Sequence, residues 1–174
     1  MKKSSVILVI VLVLAAIWLY KAGKQMTEIA SFDECVAFGN PVMESYPRQC
    51  RAEGKTFIED IGNEIEKLDI IRVETPRPNT VVGRSFELKG EARGNWYFEA
   101  SFPVEVRDAG GNTLLSTFIM TENEWMTTEF VSFAKMITLE KIPETKTGTL
   151  ILHKDNPSGL PENDDELVIP IKFE

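Results

Sequence analysis

From Leu68 onward, apolar and polar positions alternate with a period of two, broken by turn residues. That is the pattern of half-buried β-strands. Leu68–Thr75 is the first predicted strand, ended by Pro76 and Pro78. In Ser85–Arg93, Phe86, Leu88, Gly90 and Ala92 alternate with Glu87, Lys89, Glu91 and Arg93. Trp96–Arg107 reads as one strand. Trp96, Phe98, Ala100, Phe102, Val104 and Val106 face one way; Tyr97, Glu99, Ser101, Glu105 and Arg107 face the other. Asp108-Ala109-Gly110-Gly111-Asn112 predicts a hairpin turn. Thr113–Met120 returns. Met126–Leu139 holds one long strand or two joined by a bend. Gly148–Lys154 is short and apolar, and Glu166–Phe173 closes the series. About seven strands with turns every 8 to 12 residues or so predict an immunoglobulin-like antiparallel β-sandwich.

Residues 26–61 follow another pattern. Ser31-Phe32-Asp33-Glu34 has the form of a capping box, Phe32, Val36 and Ala37 follow, and Gly39 supplies a stop. This predicts two turns of helix over 32–38. Asn40-Pro41 and Tyr46-Pro47 force turns, and Arg48–Glu53 with Lys55–Glu59 form a hairpin around Gly54. Cys35 and Cys50 are the two cysteines of the chain. In an oxidising compartment they pair; otherwise they are two free thiols. Closing a 16-residue segment is worth about 3 kcal/mol in the chain-entropy model, and a module this small needs such a staple.

Ahead of the module, Val6–Tyr20 is apolar without interruption and follows Met1-Lys2-Lys3-Ser4-Ser5. With the two serines the uncharged run is 17 residues. That is about 26 Å as a helix, the lower limit for spanning a bilayer. Trp18 and Tyr20 sit at its far end, where amphipathic rings favour headgroups, and Lys21 and Lys24 follow. A cleaved signal peptide is the alternative. Ala15 and Ala16 are small, but the apolar run continues past them. Both readings place the remainder outside the cytoplasm.

The charge narrows the range of partners. Setting aside Lys2, Lys3, Lys21 and Lys24 leaves 15 basic against 27 acidic side chains, a balance of −12. Such a surface repels phosphate backbones and anionic lipid, which argues against nucleic acid. With His153 as the one histidine, a Cys/His zinc site is excluded. A Ser-His-Asp triad would have to use His153, and no G-x-S-x-G elbow is present, so it reads as a surface side chain. Asp155, Asn156, Glu162, Asn163, Asp164, Asp165 and Glu166 form an oxygen-rich stretch without calcium-loop spacing. It reads as a solvated loop; were calcium bound, Asp155, Asp164 and Asp165 are its candidate ligands. Trp96 and Phe98 are assigned to the core rather than to sugar stacking. Glu99 and Glu105, read as outward on one strand, stand about 20 Å apart, too far for glycosidase chemistry. Trp125 falls in a predicted loop. It is either a binding anchor or a cap on the open end of the sandwich.

Several spaced motifs occur in order: Ile71-x-Val73-x-x-Pro76; Val82-x-x-x-Phe86-x-Leu88-x-Gly90-x-Ala92; Asn95-Trp96-Tyr97-Phe98-Glu99-Ala100-Ser101-Phe102; and Asp108–Asn112. The tail Asn156-Pro157-Ser158-Gly159-Leu160-Pro161 with Ile169-Pro170-Ile171 continues the series. Together, over roughly residues 68–174, they resemble the bacterial spore germination immunoglobulin-like domain, the Gmad2 family. The resemblance implies an immunoglobulin-like fold in exported or surface-attached bacterial proteins. It brings no catalytic residues, and a role in sporulation is not inferred from it. The segment from Glu34-Cys35 to Phe57 is similar to a short cysteine motif of predicted envelope proteins.

The sequence therefore predicts a signal anchor or transmembrane helix at 1–25, a disulfide-closed α/β module at 26–61, a polar linker at 62–67 and an all-β sandwich at 68–174. The expected function is that of a single-pass, extracytoplasmic, non-enzymatic module of the bacterial envelope, without cofactor. It binds or assembles with an envelope protein, its loops and sheet edges being the expected contact surfaces. A purely structural component, or a carbohydrate or cell-wall binding module, is the alternative.

Overall fold

The computed structural model describes residues 28–174. The membrane helix expected at 1–25 lies outside the described residues; among those described, no helix is long and apolar enough to cross a bilayer. The chain divides after Glu59 into two compact units.

In the first unit, helix α1 (Phe32–Ala37) starts as the capping residues require. Ser31 Oγ accepts from Glu34 N at 3.1 Å. The reciprocal bond differs from the expected box: Glu34 Oε2 accepts from Ala30 N at 2.8 Å, one residue before the cap. Gly39, at φ +77°, ends the helix. Strands β1 (Val42–Met43), β2 (Gln49–Ala52) and β3 (Lys55–Ile58) form an antiparallel sheet. Its tight β2–β3 turn takes positive φ at Glu53 and Gly54. Cys35 and Cys50 are joined and fully buried, packed with Ile29, Phe32 and Ala52. The buried Glu59 carboxylate receives two bonds from the Arg48 guanidinium, at 2.6 and 2.8 Å.

The second unit begins with a helical turn, α2 (Glu64–Lys67), where a polar linker was expected. Glu64 is 1% exposed and paired with Arg77 at 2.6 Å. That partner lies 13 residues ahead, so the acid reads as solvated in sequence. The chain leaves α2 through a turn closed by Ile70 N donating to Lys67 O, and the first strand therefore starts at Ile71, not Leu68.

Eight strands follow: β4 (Ile71–Thr75), β5 (Val81–Val82), β6 (Ser85–Arg93), β7 (Ser101–Asp108), β8 (Thr113–Met120), β9 (Phe130–Thr138), β10 (Thr147–His153) and β11 (Glu166–Phe173). They form one sheet in the order β5-β11-β10-β7-β8 and another in the order β4-β6-β9. β5 was not expected. It is two residues long and pairs parallel with the end of β11, so no alternation betrays it. The two sheets enclose one apolar interior that includes Leu88, Ala92, Phe102, Val104, Val106, Leu150, Leu152, Leu167, Ile169 and Ile171. Tyr97, Phe102 and Phe133 meet edge to face, at 5.1 and 5.2 Å between centroids, and the Tyr97 hydroxyl donates to Val131 O at 2.9 Å. Burial of the phenol raises its pKa above the usual tyrosine range.

Sheet margins carry backbone groups that invite other strands, and here several of them meet local partners. Arg77 Nη1 donates to Val73 O on β4 at 2.9 Å. Asn63 Nδ2 and N donate to Glu166 O and Val168 O of β11, its Oδ1 accepts from Val168 N, and Asn79 N donates to Pro170 O. On β8, Leu114 O accepts from Glu140 N and Phe118 O from Lys135 Nζ. Parts of the β4, β8 and β11 margins are thus engaged from within the chain.

Removing Arg77 takes a cation at 2.6 Å from the buried Glu64 carboxylate and a donor from Val73 O. Arg77→Ala is expected to lower unfolding free energy by about 2–3 kcal/mol, measured by chemical denaturation. A loss indistinguishable from zero would show that water compensates the acid fully.

Candidate docking surface

The expected strand Trp96–Arg107 is interrupted. Gly94–Trp96 is a single 3-10 turn, and β7 begins only at Ser101. Between them, Phe98 and Ser101 exchange two backbone bonds of 3.0 Å around Glu99 and Ala100, at φ +49° and +60°. This is a two-residue reversal with both central residues left-handed, a geometry usually marked by Asn or Gly. Neither residue type stands here, which is why sequence pattern missed it.

The reversal flips the facing of what precedes it. Paired residues share a face. Phe98 pairs with Ser101, and Ser101 with Met120. In the next row of that face, Pro103 pairs with Phe118. The intervening row, Phe102 with Ile119, is fully buried in the core. Phe98, assigned to the core by alternation, therefore lies with Phe118, Met120 and Pro103 on the outer face of the five-stranded sheet. Phe98 is 41%, Phe118 54% and Met120 73% exposed. β8 is the outermost strand there and has no charged residue in its eight. An apolar corner of this kind, set on a rigid hairpin, is suited to receiving a partner.

Acids border the corner. Glu99 is exposed in the reversal, and Glu122 and Glu124 are exposed in the loop leaving Met120. Asp155, whose N donates to Trp96 O, has its pKa pushed up by burial and, more weakly, by the charge of Glu99. Glu105 differs: the Arg107 hydrogen bond, aided by Thr113 Oγ1 and His153, holds its carboxyl below the usual range. Glu99, read as an outward residue of the same strand as Glu105, sits instead in the turn before that strand.

The other predicted residues fall elsewhere. Trp96 is buried, and Trp125 is half-buried and packs against the core. Gly94 makes that close approach possible, since a Cβ there would lie 2.1 Å from both Trp125 O and Thr127 O. His153 stands between Glu166, at 3.5 Å, and Glu105, at 3.9 Å. It lines a polar hollow of about 580 Å³ with Asn63, Lys154, Asp164, Asp165 and Glu166. Asp155, Asp164 and Asp165 are not gathered as calcium ligands. Asp164 accepts from Asn156 Nδ2 at 2.7 Å, and Asp165 is paired with Lys67. Among the described residues, no three His, Cys, Asp or Glu side chains form a metal-binding group.

Two measurements test this geometry. Ala100→Gly relieves a left-handed residue and is expected to stabilise the protein by up to about 1 kcal/mol; a destabilisation would contradict the assigned turn. A carboxyl with a depressed pKa stabilises the fold above its unfolded value, 4.5 here, and that contribution fades as pH falls through the folded value. Glu105→Gln is expected to cost about 1 kcal/mol at neutral pH. Denaturation at a series of pH values should show the difference from wild type vanishing in acid; a gap independent of pH would assign it to packing.

Comparison with curated proteins gives no match, and comparison with solved structures gives none. The profile of the Gmad2 family, described as the immunoglobulin-like domain of bacterial spore germination, matches residues 70–159, just over half of the 174-residue chain. That range runs from the residue before β4 to the loop after β10, and so contains the apolar corner. Domains of this immunoglobulin-like type are generally non-catalytic. With sandwich, motifs and profile in agreement, the chain belongs to the Gmad2 family of immunoglobulin-like domains.

Proposed function

We propose that this chain is a non-enzymatic binding module, tethered to the bacterial cell membrane by residues 1–25 and holding its immunoglobulin-like domain outside the cytoplasm, where it engages an envelope protein. The observation that carries the reading is the outer-face row Phe98–Ser101–Met120 with Pro103–Phe118 beside it. Apolar side chains this exposed gain nothing for the fold of an isolated domain, and they gain on contact. The buried Cys35–Cys50 bond supports an oxidising location, and the apolar run at 6–20 supports a tether.

Two experiments bear on it. Protease added to intact cells is expected to degrade the domain while leaving a membrane-retained N-terminal stub; full protection of the domain would refute the location. Full-length protein carrying Phe118→Ser and Met120→Ser is expected to keep its thermal midpoint and to lose its crosslinked envelope partner. Retention of the same crosslinked species by this variant would refute the assignment of the surface.

A further inference from the structure

The occupant of the apolar corner is specified by the charges around it. Glu99, Glu122 and Glu124 are exposed along its border, and Asp155 lies within electrostatic reach of Glu99. The nearby cations are engaged. Lys135 Nζ is bonded to Thr117 Oγ1 at 2.8 Å and to Phe118 O at 2.7 Å, and Arg107 is paired with Glu105. The Lys135 ammonium keeps its charge, and the exposed carboxylates outnumber it, so the border is net negative. An anionic bilayer is repelled by it. A second copy would bring the same acids against themselves, on a chain whose region beyond Lys24 totals −12. A neutral apolar surface would bury these carboxylates without partners, a costly outcome.

We propose that this corner receives a cationic amphipathic protein segment, one that inserts apolar side chains between Phe98, Phe118 and Met120 and sets lysine or arginine against Glu99, Glu122 and Glu124. This rests on the reading of the corner as a docking surface and adds the chemistry of the partner. Phe118 and Phe98 supply rigid aromatic area, and Met120 supplies an adaptable thioether that fits more than one anchor shape. The acids steer approach and select by sign, an effect that weakens as salt rises.

The test uses the full chain in nanodiscs of zwitterionic lipid and a fluorescent amphipathic helical peptide made in lysine-rich, glutamine-rich and glutamate-rich versions with identical apolar positions. Binding is read by anisotropy. The lysine-rich probe is expected to bind about tenfold or more tighter than the glutamine-rich one, and to weaken with added salt. Phe118→Ser with Met120→Ser is expected to weaken it about tenfold; Phe118→Ala, a milder change, should weaken it less while the thermal midpoint holds. Glu122→Gln with Glu124→Gln should weaken the lysine-rich probe alone. Equal affinity for the lysine-rich and glutamine-rich probes, lost on Phe118→Ser with Met120→Ser, overturns the charge inference and leaves the docking surface standing. Binding unchanged by the apolar substitutions, or no binding of any probe, overturns both.

Discussion

Two sheets can share one dry interior only if every second side chain facing it is apolar and the backbone at each margin still finds a hydrogen-bond partner. The first condition is met by strands such as β7 and β11, whose inward residues are buried almost completely. The second is met in part by groups sent from neighbouring segments, the side chain of Arg77 to β4, the side chain of Asn63 and the backbone N of Asn79 to β11, and the side chain of Lys135 to β8. Part of the ladder polarity that a sandwich leaves at its margins is thereby satisfied within the chain.

The association proposed above rests on side chains rather than on strand addition. The outer face of β7 and β8 supplies them. Its composition, apolar at the centre and acidic at the border, resembles the core-and-rim arrangement of protein interfaces. The inner rows of the same two strands carry the core, so the surface is held by the most buried part of the molecule.

Most of the sandwich was legible because its signals are local. Alternation located Ser85–Arg93, Thr113–Met120 and Glu166–Phe173 to the residue, and Asp108–Asn112 announced its turn. The cysteine pair and the capping serine were legible for the same reason. What escaped depends on distant partners or on unmarked geometry. Glu64 looks solvated until Arg77 arrives, and Val81–Val82 becomes a strand only beside Lys172 and Phe173. The apolar corner escaped because the reversal at Glu99–Ala100 lacks a turn residue, so an unbroken alternation assigned Phe98 to the wrong side. Asn156 and Lys67, which hold Asp164 and Asp165 separately, are likewise partners that the oxygen-rich stretch does not announce.

The lacing of β11 has a bearing on where this domain truly begins. Asn63 offers the strand both an acceptor and donors, and Asn79 ties back to Asp60 O at 2.7 Å, so the ten residues before the family profile act as a selvedge woven along the last strand. Cut from position 70, the sandwich would keep all its strands and yet expose a raw flank on β11. Autonomy in this fold is conferred by a hem that strand alternation never counts.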